Sequence, residues 1–316
     1  MRTQAGFHVT RPGFFTLLQD AGRRGVMHMG LTTSGAMDRH AWAWANYLLD
    51  NAFGTPALEI TFGGAEFISG LNTQIVVTGA EVQLSVNDEP KPLWTTIRIS
   101  PGDTVVVSTT RSGVRCYLAV RGGLGVDTGL GNSCATVFRE NTGGLHNNGQ
   151  PLKEGDFLPC KPAISPVANR KIPSQWIPDY NERLTLSVIP CAQVERFPEA
   201  TLSTFFNSTY ILSRQADRMG ARLTGPTLNV SDRQLISEGT SLGAIQVPAD
   251  GQPIILLNDR QTIGGYPKLG VVTPRSLDAL AQRPPGTQLR FKKISLHDAQ
   301  QDERQFLTFF ETTGQA

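Results

Sequence analysis

Between Leu235 and Leu269 the chain concentrates side chains able to bind a small molecule: Ser237, Glu238, Gln246, Asn258, Asp259, Arg260, Gln261, Thr262, Tyr266 and Lys268. They are interleaved with apolar runs, Gly243–Val247 and Ile254–Leu257, that have the composition of buried strands. Glycines and prolines punctuate the stretch, so the backbone turns sharply between short rigid pieces. Polar side chains at the ends of rigid strands are how a protein holds a small polar ligand. The competing use of such residues is a tight turn whose Asn and Asp side chains satisfy its own backbone.

Three other segments carry candidate chemistry. In SRQADRMGARLTGP (213–226), Gln215, Asp217, Arg218 and Arg222 stand beside Gly220 and Gly225. The planar fork of Arg218 matches a carboxylate or phosphate in two-point contact; it equally suits an ion pair with Asp217 or another acid. LTTSGAMDRHAWA (31–43) puts Ser34, Gly35 and Asp38 at a helix start, as an anion site or as an ordinary cap with Ser34 in the capping position. Glu59 lies in the apolar strand ALEITF, where a buried carboxylate is costly unless a partner or a ligand meets it.

Several signatures are missing: GxxxxGK[ST], GxSxG, HExxH and a Met-Lys-Met biotin-attachment sequence. The glycine-rich RGGLGVDTGLG (121–131) lacks the strand–helix context of a dinucleotide site and reads as a structural loop. Cys116, Cys134, Cys160 and Cys191 are widely separated and the five histidines are dispersed, so no metal centre is expected. The cysteines read as small buried hydrophobes; Cys134, in GNSCAT, is the one in a loop able to present a thiol.

The elements positioning these groups are mostly strands. Ile75–Thr78, Val82–Val86, Thr104–Ser108, Cys116–Val120, Leu184–Ile189 and Ile254–Leu257 are short, rich in β-branched residues and bounded by turn formers. With 32 glycines and 20 prolines, the chain reads as closed or sandwiched β-sheet. Helical spacing of apolar residues predicts three helices. They run from about Ala36 to Leu49, from Pro274 to before Pro284, and from about Asp298 to Glu311. Five prolines strung through Pro159–Pro178 read as a linker, which divides 316 residues into halves 1–165 and 166–316.

A 39% apolar share suffices for packed cores, and a net charge of +2 with dispersed signs gives no basic face for nucleic acid. Neither an 18-residue apolar run nor a leader-like N-terminus is visible, so a cytoplasmic location without membrane contact is expected.

Six segments in order, SGAMD, ALEITFGGAEF, YLAVRGG, QADRMGARLTGP, SEGTSLGAIQVPADGQPI and LNDRQTIGGYPKLG, resemble the carboxyltransferase-like family of the C-type subunits of bacterial 5-oxoprolinase. This group is also called allophanate hydrolase subunit 2-like. It takes in KipA-type regulators and the carboxyltransferase portion of urea amidolyase. The resemblance covers about Phe7 to Phe291. It departs in GNSCATVFRENTGGLHNNG, where Ala135, Val137 and His146–Asn148 replace the commoner residues.

The resemblance implies a mainly β chain with a few helices, folded as two cyclophilin-like β-barrel domains. It further implies two 5-oxoprolinase partners, a B-type subunit (allophanate hydrolase subunit 1-like) and an A-type subunit (LamB/YcsF-type). The B- and C-type subunits would activate the lactam of 5-oxoproline with ATP and Mg²⁺, and the A-type subunit would complete hydrolysis to glutamate. By motif, the binding candidates are Gln215, Asp217, Arg218, Gln246, Asn258, Asp259, Gln261, Tyr266 and Lys268, with Arg260 beside them. Arg218, Arg260 and Lys268 would supply positive charge, Asp259 would hold Mg²⁺ or take a proton, and Gln246 and Asn258 would bond the amide. A biotin-dependent carboxyltransferase acting on urea, served by a biotinylated carrier, is the alternative. A non-enzymatic KipA-type regulator is the second.

Overall fold

Alternating burial, set by the two-residue period of a strand, decides how this chain folds. In Ala65–Ser69 the first, third and fifth residues are buried, and in Leu84–Val86 the two apolar ends are buried around an intervening serine. The computed structural model describes residues 5–161, 165–231 and 235–312. They form two compact units. The first comprises residues up to Arg24, Ser34–Asn181 and the chain from Leu307; the second comprises Gly25–Thr33 and Glu182–Phe306.

The first unit contains two antiparallel sheets. One has the strand order Phe157–Pro159, Gly6–Pro12, Ala65–Ser69, Thr104–Val107, Leu84–Val86, Glu89–Lys91. The other runs Phe15–Gln19, Ala57–Thr61, Ser112–Val120, Thr73–Glu81, Ile97–Ile99. Phe7, Phe67, Ile60, Ile75, Val77, Val105 and Leu118 belong to one buried cluster drawing on both sheets. Helix α1 (Arg39–Leu48) packs on Thr73–Glu81 and Ser112–Val120. It buries Trp42 entirely, a contribution of about 1.5–3 kcal/mol or somewhat more for so large a ring. Its cap is Asp38, whose Oδ1 accepts the Ala41 N–H at 2.9 Å, rather than Ser34. Ser34 lies at φ 52° in the left-handed region, four residues before the cap, where it cannot serve as one.

Glu59 is fully buried and finds its partners inside this unit. Its Oε2 accepts the Tyr117 hydroxyl at 2.7 Å and the Met37 N–H at 2.8 Å, while Arg115 Nε stands 3.7 Å from Oε1. Tyr117 in turn accepts the Asp38 N–H at 2.8 Å. Burial, then the nearby Glu59 and Asp38 carboxylates, hold the Tyr117 phenol protonated well above its usual range. The carboxylate is a packing and hydrogen-bonding hub, not a ligand site.

The segment read as a linker is largely bound to this unit. Both amide atoms of Gln74 pair with the Val167 backbone at 2.9 and 2.7 Å, Arg170 pairs with Thr96, and Ile172 is buried. Proline richness here fixes an extended strap, since each ring sets φ without needing a sheet donor. The units therefore divide at 181/182 instead of 165/166; residues 162–164 lie outside the described residues.

The second unit is a closed barrel in the order Leu184–Pro190, Lys268–Val272, Ala244–Gln246, Ile254–Leu256, Gly220–Thr224, Tyr210–Leu212, Gln288–Lys293. It closes by parallel pairing of Leu184–Pro190 with Gln288–Lys293. A helix not foreseen from sequence, α2 (Glu199–Asn207), buries Thr201 and Phe205 one turn apart. Phe205 stacks on Phe291 with centroids 4.2 Å apart. Helix α3 (Pro274–Ala281) begins at the proline, as the sequence predicts, and α4 spans Leu296–Thr312. Among the described residues, no helix is long and apolar enough to cross a membrane.

Candidate active site

The dense motif forms no single hairpin. It supplies three barrel strands and both halves of a two-stranded ribbon, Glu238–Gly239 with Ile263–Gly264. Folding gathers its polar groups into two neighbouring clusters within the second unit.

In the first, Arg218 meets Asp259 across 41 residues. Nε donates to Oδ2 at 2.8 Å and Nη2 to Oδ1 at 3.1 Å, with both side chains about nine-tenths buried. The backbone brings them together: Gly220 pairs with Leu256, Leu257 N–H reaches Met219 O, and Asp259 N–H reaches Arg218 O at 2.8 Å. Arg218 thus chooses Asp259 over Asp217. Asp217 Oδ1 accepts the N–H groups of Met219 and Gly220 and holds its own turn. Both Asp259 carboxylate oxygens accept from the guanidinium, which ties Arg218 to the turn that carries Asn258 and Arg260.

Arg260 points another way. It is 4% exposed, and its Nε donates to Thr240 O, Nη1 to Thr33 Oγ1 at 3.2 Å and Nη2 towards Met27 Sδ. No carboxylate ion-pairs with it among the described residues. Desolvation lowers its pKa, partly offset by the charge of neighbouring Asp259; an arginine nevertheless stays protonated. Thr32 Oγ1 donates to Asn258 O at 2.9 Å, so the LTTS segment joins this cluster through its threonines.

The second cluster centres on Lys268 and Gln246, direct partners on adjacent barrel strands. Lys268 Nζ, on a side chain 8% exposed, donates to Glu238 Oε1 at 2.7 Å; Glu238 is half exposed. Gln193 ties the pair together: its Oε1 accepts the Lys268 N–H at 2.9 Å and its Nε2 donates to Glu238. The Lys268 hydrogen bond lowers the Glu238 pKa, against a smaller desolvation cost. Gln246 is 5% exposed, and its carboxamide has no hydrogen bond to a described residue. Thr240 adjoins both clusters: its carbonyl accepts from Arg260 Nε, and its methyl lies beside the Gly264 position next to Gln246.

Gly264 shows how tightly this end is built. A Cβ added there would lie 2.6 Å from Gln246 Nε2 and 3.2 Å from the Thr240 methyl. Gly264→Ala should therefore push the Gln246 amide aside, raising KM for a ligand held by that amide about tenfold with little change in melting temperature. Steady-state kinetics and a thermal melt check both halves.

Not every sequence candidate joins these clusters. Gln215, Gln261 and Tyr266 are exposed, and Gln261 contributes its carbonyl, which accepts from Thr240 Oγ1. The sequence singles out neither Gln193 nor Thr240. Gln193 stands alone in CAQVER with nothing to mark it, whereas Thr240 has the signal of lying within the dense stretch. Among the described residues, no three His, Cys, Asp or Glu side chains form a group able to hold a metal. Cys134 is buried, its backbone N–H bonded to Asp20, and desolvation raises its thiol pKa. Its loop does not present a reactive thiolate.

The family model for the carboxyltransferase domain, subdomains A and B, matches residues 29–293, and the chain belongs to that family. Its relatives include the C-type subunit of 5-oxoprolinase from Escherichia coli (strain K12), 34% identical over 96% of this chain and 96% of that protein. The Haemophilus influenzae protein of the same name is 33% identical over 89% of each. The crystal structure of the K. lactis urea amidolyase superposes with a TM-score of 0.90 at 28% identity, covering 98% of this chain and 20% of that one. The chain thus spans about a fifth of that larger protein's length.

Proposed function

We propose that this chain is the lactam-binding component of an ATP-dependent 5-oxoprolinase and works with B-type and A-type partners. The observation carrying this reading is two nearly fully buried groups that both adjoin the Thr240 segment: the Gln246 carboxamide, without a described hydrogen-bond partner, and the Arg260 guanidinium, without a described carboxylate. 5-Oxoproline carries the complement of both. Its lactam N–H and C=O suit two-point pairing with a carboxamide, and its carboxylate suits a guanidinium. Urea offers the first match but has no charge for Arg260, which favours the lactam over the carboxyltransferase alternative.

Lys268 then has a chemical role. The lactam carbonyl is a poor electrophile, and a buried ammonium directed at its oxygen stabilises the negative charge that develops there. Glu238, half exposed, is the counter-ion that gives way when the substrate arrives. The Arg218–Asp259 pair positions the turn bearing Asn258 and Arg260.

ATP with Mg²⁺ fits these residues poorly as a self-contained site. Mg²⁺ takes oxygen ligands, commonly one or two carboxylates, and Asp259 is already held by Arg218. The nucleotide is accordingly assigned to a surface shared with, or supplied by, the B-type partner. The test is an omission series with ATP, 5-oxoproline and the purified B- and A-type partners. Glutamate formation that requires this chain supports the reading; equal glutamate without it refutes it.

A further inference from the structure

The geometry points to a second ligand site in the first unit: an oxyanion-binding cleft lined by Arg98 and Arg121. The cleft has a volume of about 320 Å³, near the lower bound for small-molecule sites. It opens where Thr73–Glu81 pairs with Ile97–Ile99 at the sheet edge, with Gln74 opposite Arg98 and Thr73 opposite Ile99. Asn72, Ser100 and Ser165 add hydroxyl and amide groups to the lining, which contains no carboxylate.

The two arginines are presented differently, and both differences matter. Arg121 is half buried and held by carbonyls: Nη1 donates to Leu49 O and Asp50 O, and Nε reaches Ser165 O at 3.4 Å. Its backbone N–H bonds Gln74 O at 2.9 Å, so the whole residue is anchored. Nη2 has no protein partner among the described residues. Neighbouring Asp50 does not neutralise it, because that carboxylate is bonded by Arg170. Arg98 is exposed and forms neither an ion pair nor a side-chain hydrogen bond among the described residues. A fixed guanidinium and a free one over the same cleft suit an anion with several oxygens: the first orients it, and the second closes on it.

Thr73 takes no part in recognition: it stands opposite buried Ile99, on the other face of the strand from Arg98, and its hydroxyl is enclosed. The nearby Gln74 is not available: its amide is fully used by the Val167 backbone, which makes it scaffolding. The ligand class is therefore a small phosphate- or carboxylate-bearing molecule.

Anion binding to this cleft can be tested on the chain alone, without partner subunits. Isothermal titration at low ionic strength would use pyrophosphate in one arm and malonate in the other, separating phosphate from carboxylate recognition. Saturable one-site binding with Kd below about 1 mM is expected in at least one arm, weakening with added salt. Arg98→Ala should weaken it about tenfold, with Arg98→Lys intermediate. Arg98 is exposed, so its variants will fold; circular dichroism verifies this. No saturable binding of either anion below about 10 mM would overturn the proposal. So would binding that Arg98→Ala leaves unchanged.

Discussion

Lys268→Met in the assembled enzyme should lower kcat by about 10²–10³-fold, the usual cost of removing a preorganised charge from a developing oxyanion. Methionine fills a similar volume, so the strand Lys268–Val272 keeps its pairing with Gln246 and with Leu184–Pro190. The ammonium is the only group lost, and half-exposed Glu238 is returned to water without penalty. Glu238→Gln should have a milder effect, because Gln193 and Lys268 can still bond the amide oxygen. The pair also has a defined pH window. Hydrogen bonding from Lys268 depresses the Glu238 pKa below its ordinary 4.5, so the bridge is complete above that value and dissolves as pH falls through the depressed one. Single-turnover kinetics at neutral pH distinguish the lysine's part in chemistry from any part in binding. A change confined to KM would make Lys268 a binding residue only.

The second large effect concerns stability. Glu59→Ala should destabilise the first unit by about 3–5 kcal/mol, the range for removing one partner from a buried charged pair. The loss would remove the acceptor of the Tyr117 hydroxyl and of the Met37 N–H and the carboxylate beside Arg115. Glu59→Gln, which keeps an acceptor and most of the volume, should cost less. Urea unfolding followed by tryptophan fluorescence measures the difference, since Trp42 and Trp44 lie on helix α1 of the same unit. Because the chain has two units, the first unit's transition is analysed separately from the barrel's. Equal midpoints for Glu59→Ala and wild type would show that the network carries no stability.

How much of this was legible in the sequence depended on the range of the interaction. Local signals were sound: Pro274 opens α3 as its fixed φ predicts, and the β-branched runs are strands. Ser34 misled because its type suits a cap while its backbone is left-handed; Asp38 sits where the helix actually starts. Helix α2 was missed because Glu199–Asn207 mixes threonine, serine and phenylalanine and is held by Phe205 against the barrel rather than by propensity. The site divided along the same line. The polar density of 235–269 marked its position, but the choice of Asp259 by Arg218 is made by barrel pairing across 41 residues. Gln193, 75 residues from Lys268, left no local trace. Nor did the sequence show that Asn258 and Arg260 share a cluster with Thr32 and Thr33.

Under the proposed reading Asp259, held by Arg218, is a positioning residue inside the motif that carries the family resemblance. Asp259→Asn would remove the carboxylate charge at the two bonds Arg218 makes with it, and the turn holding Asn258 and Arg260 would loosen.

The most direct measurement of the central claim is substrate choice by the reconstituted complex. This chain, its B- and A-type partners and ATP are supplied with 5-oxoproline, with 2-pyrrolidinone, which lacks the carboxylate, or with urea and a carboxylated biotin carrier. ADP and glutamate are expected in equal amounts from 5-oxoproline, with at least tenfold lower kcat/KM for 2-pyrrolidinone and no turnover of urea. Carboxyl transfer from the biotin carrier to urea, with 5-oxoproline inert, would contradict it.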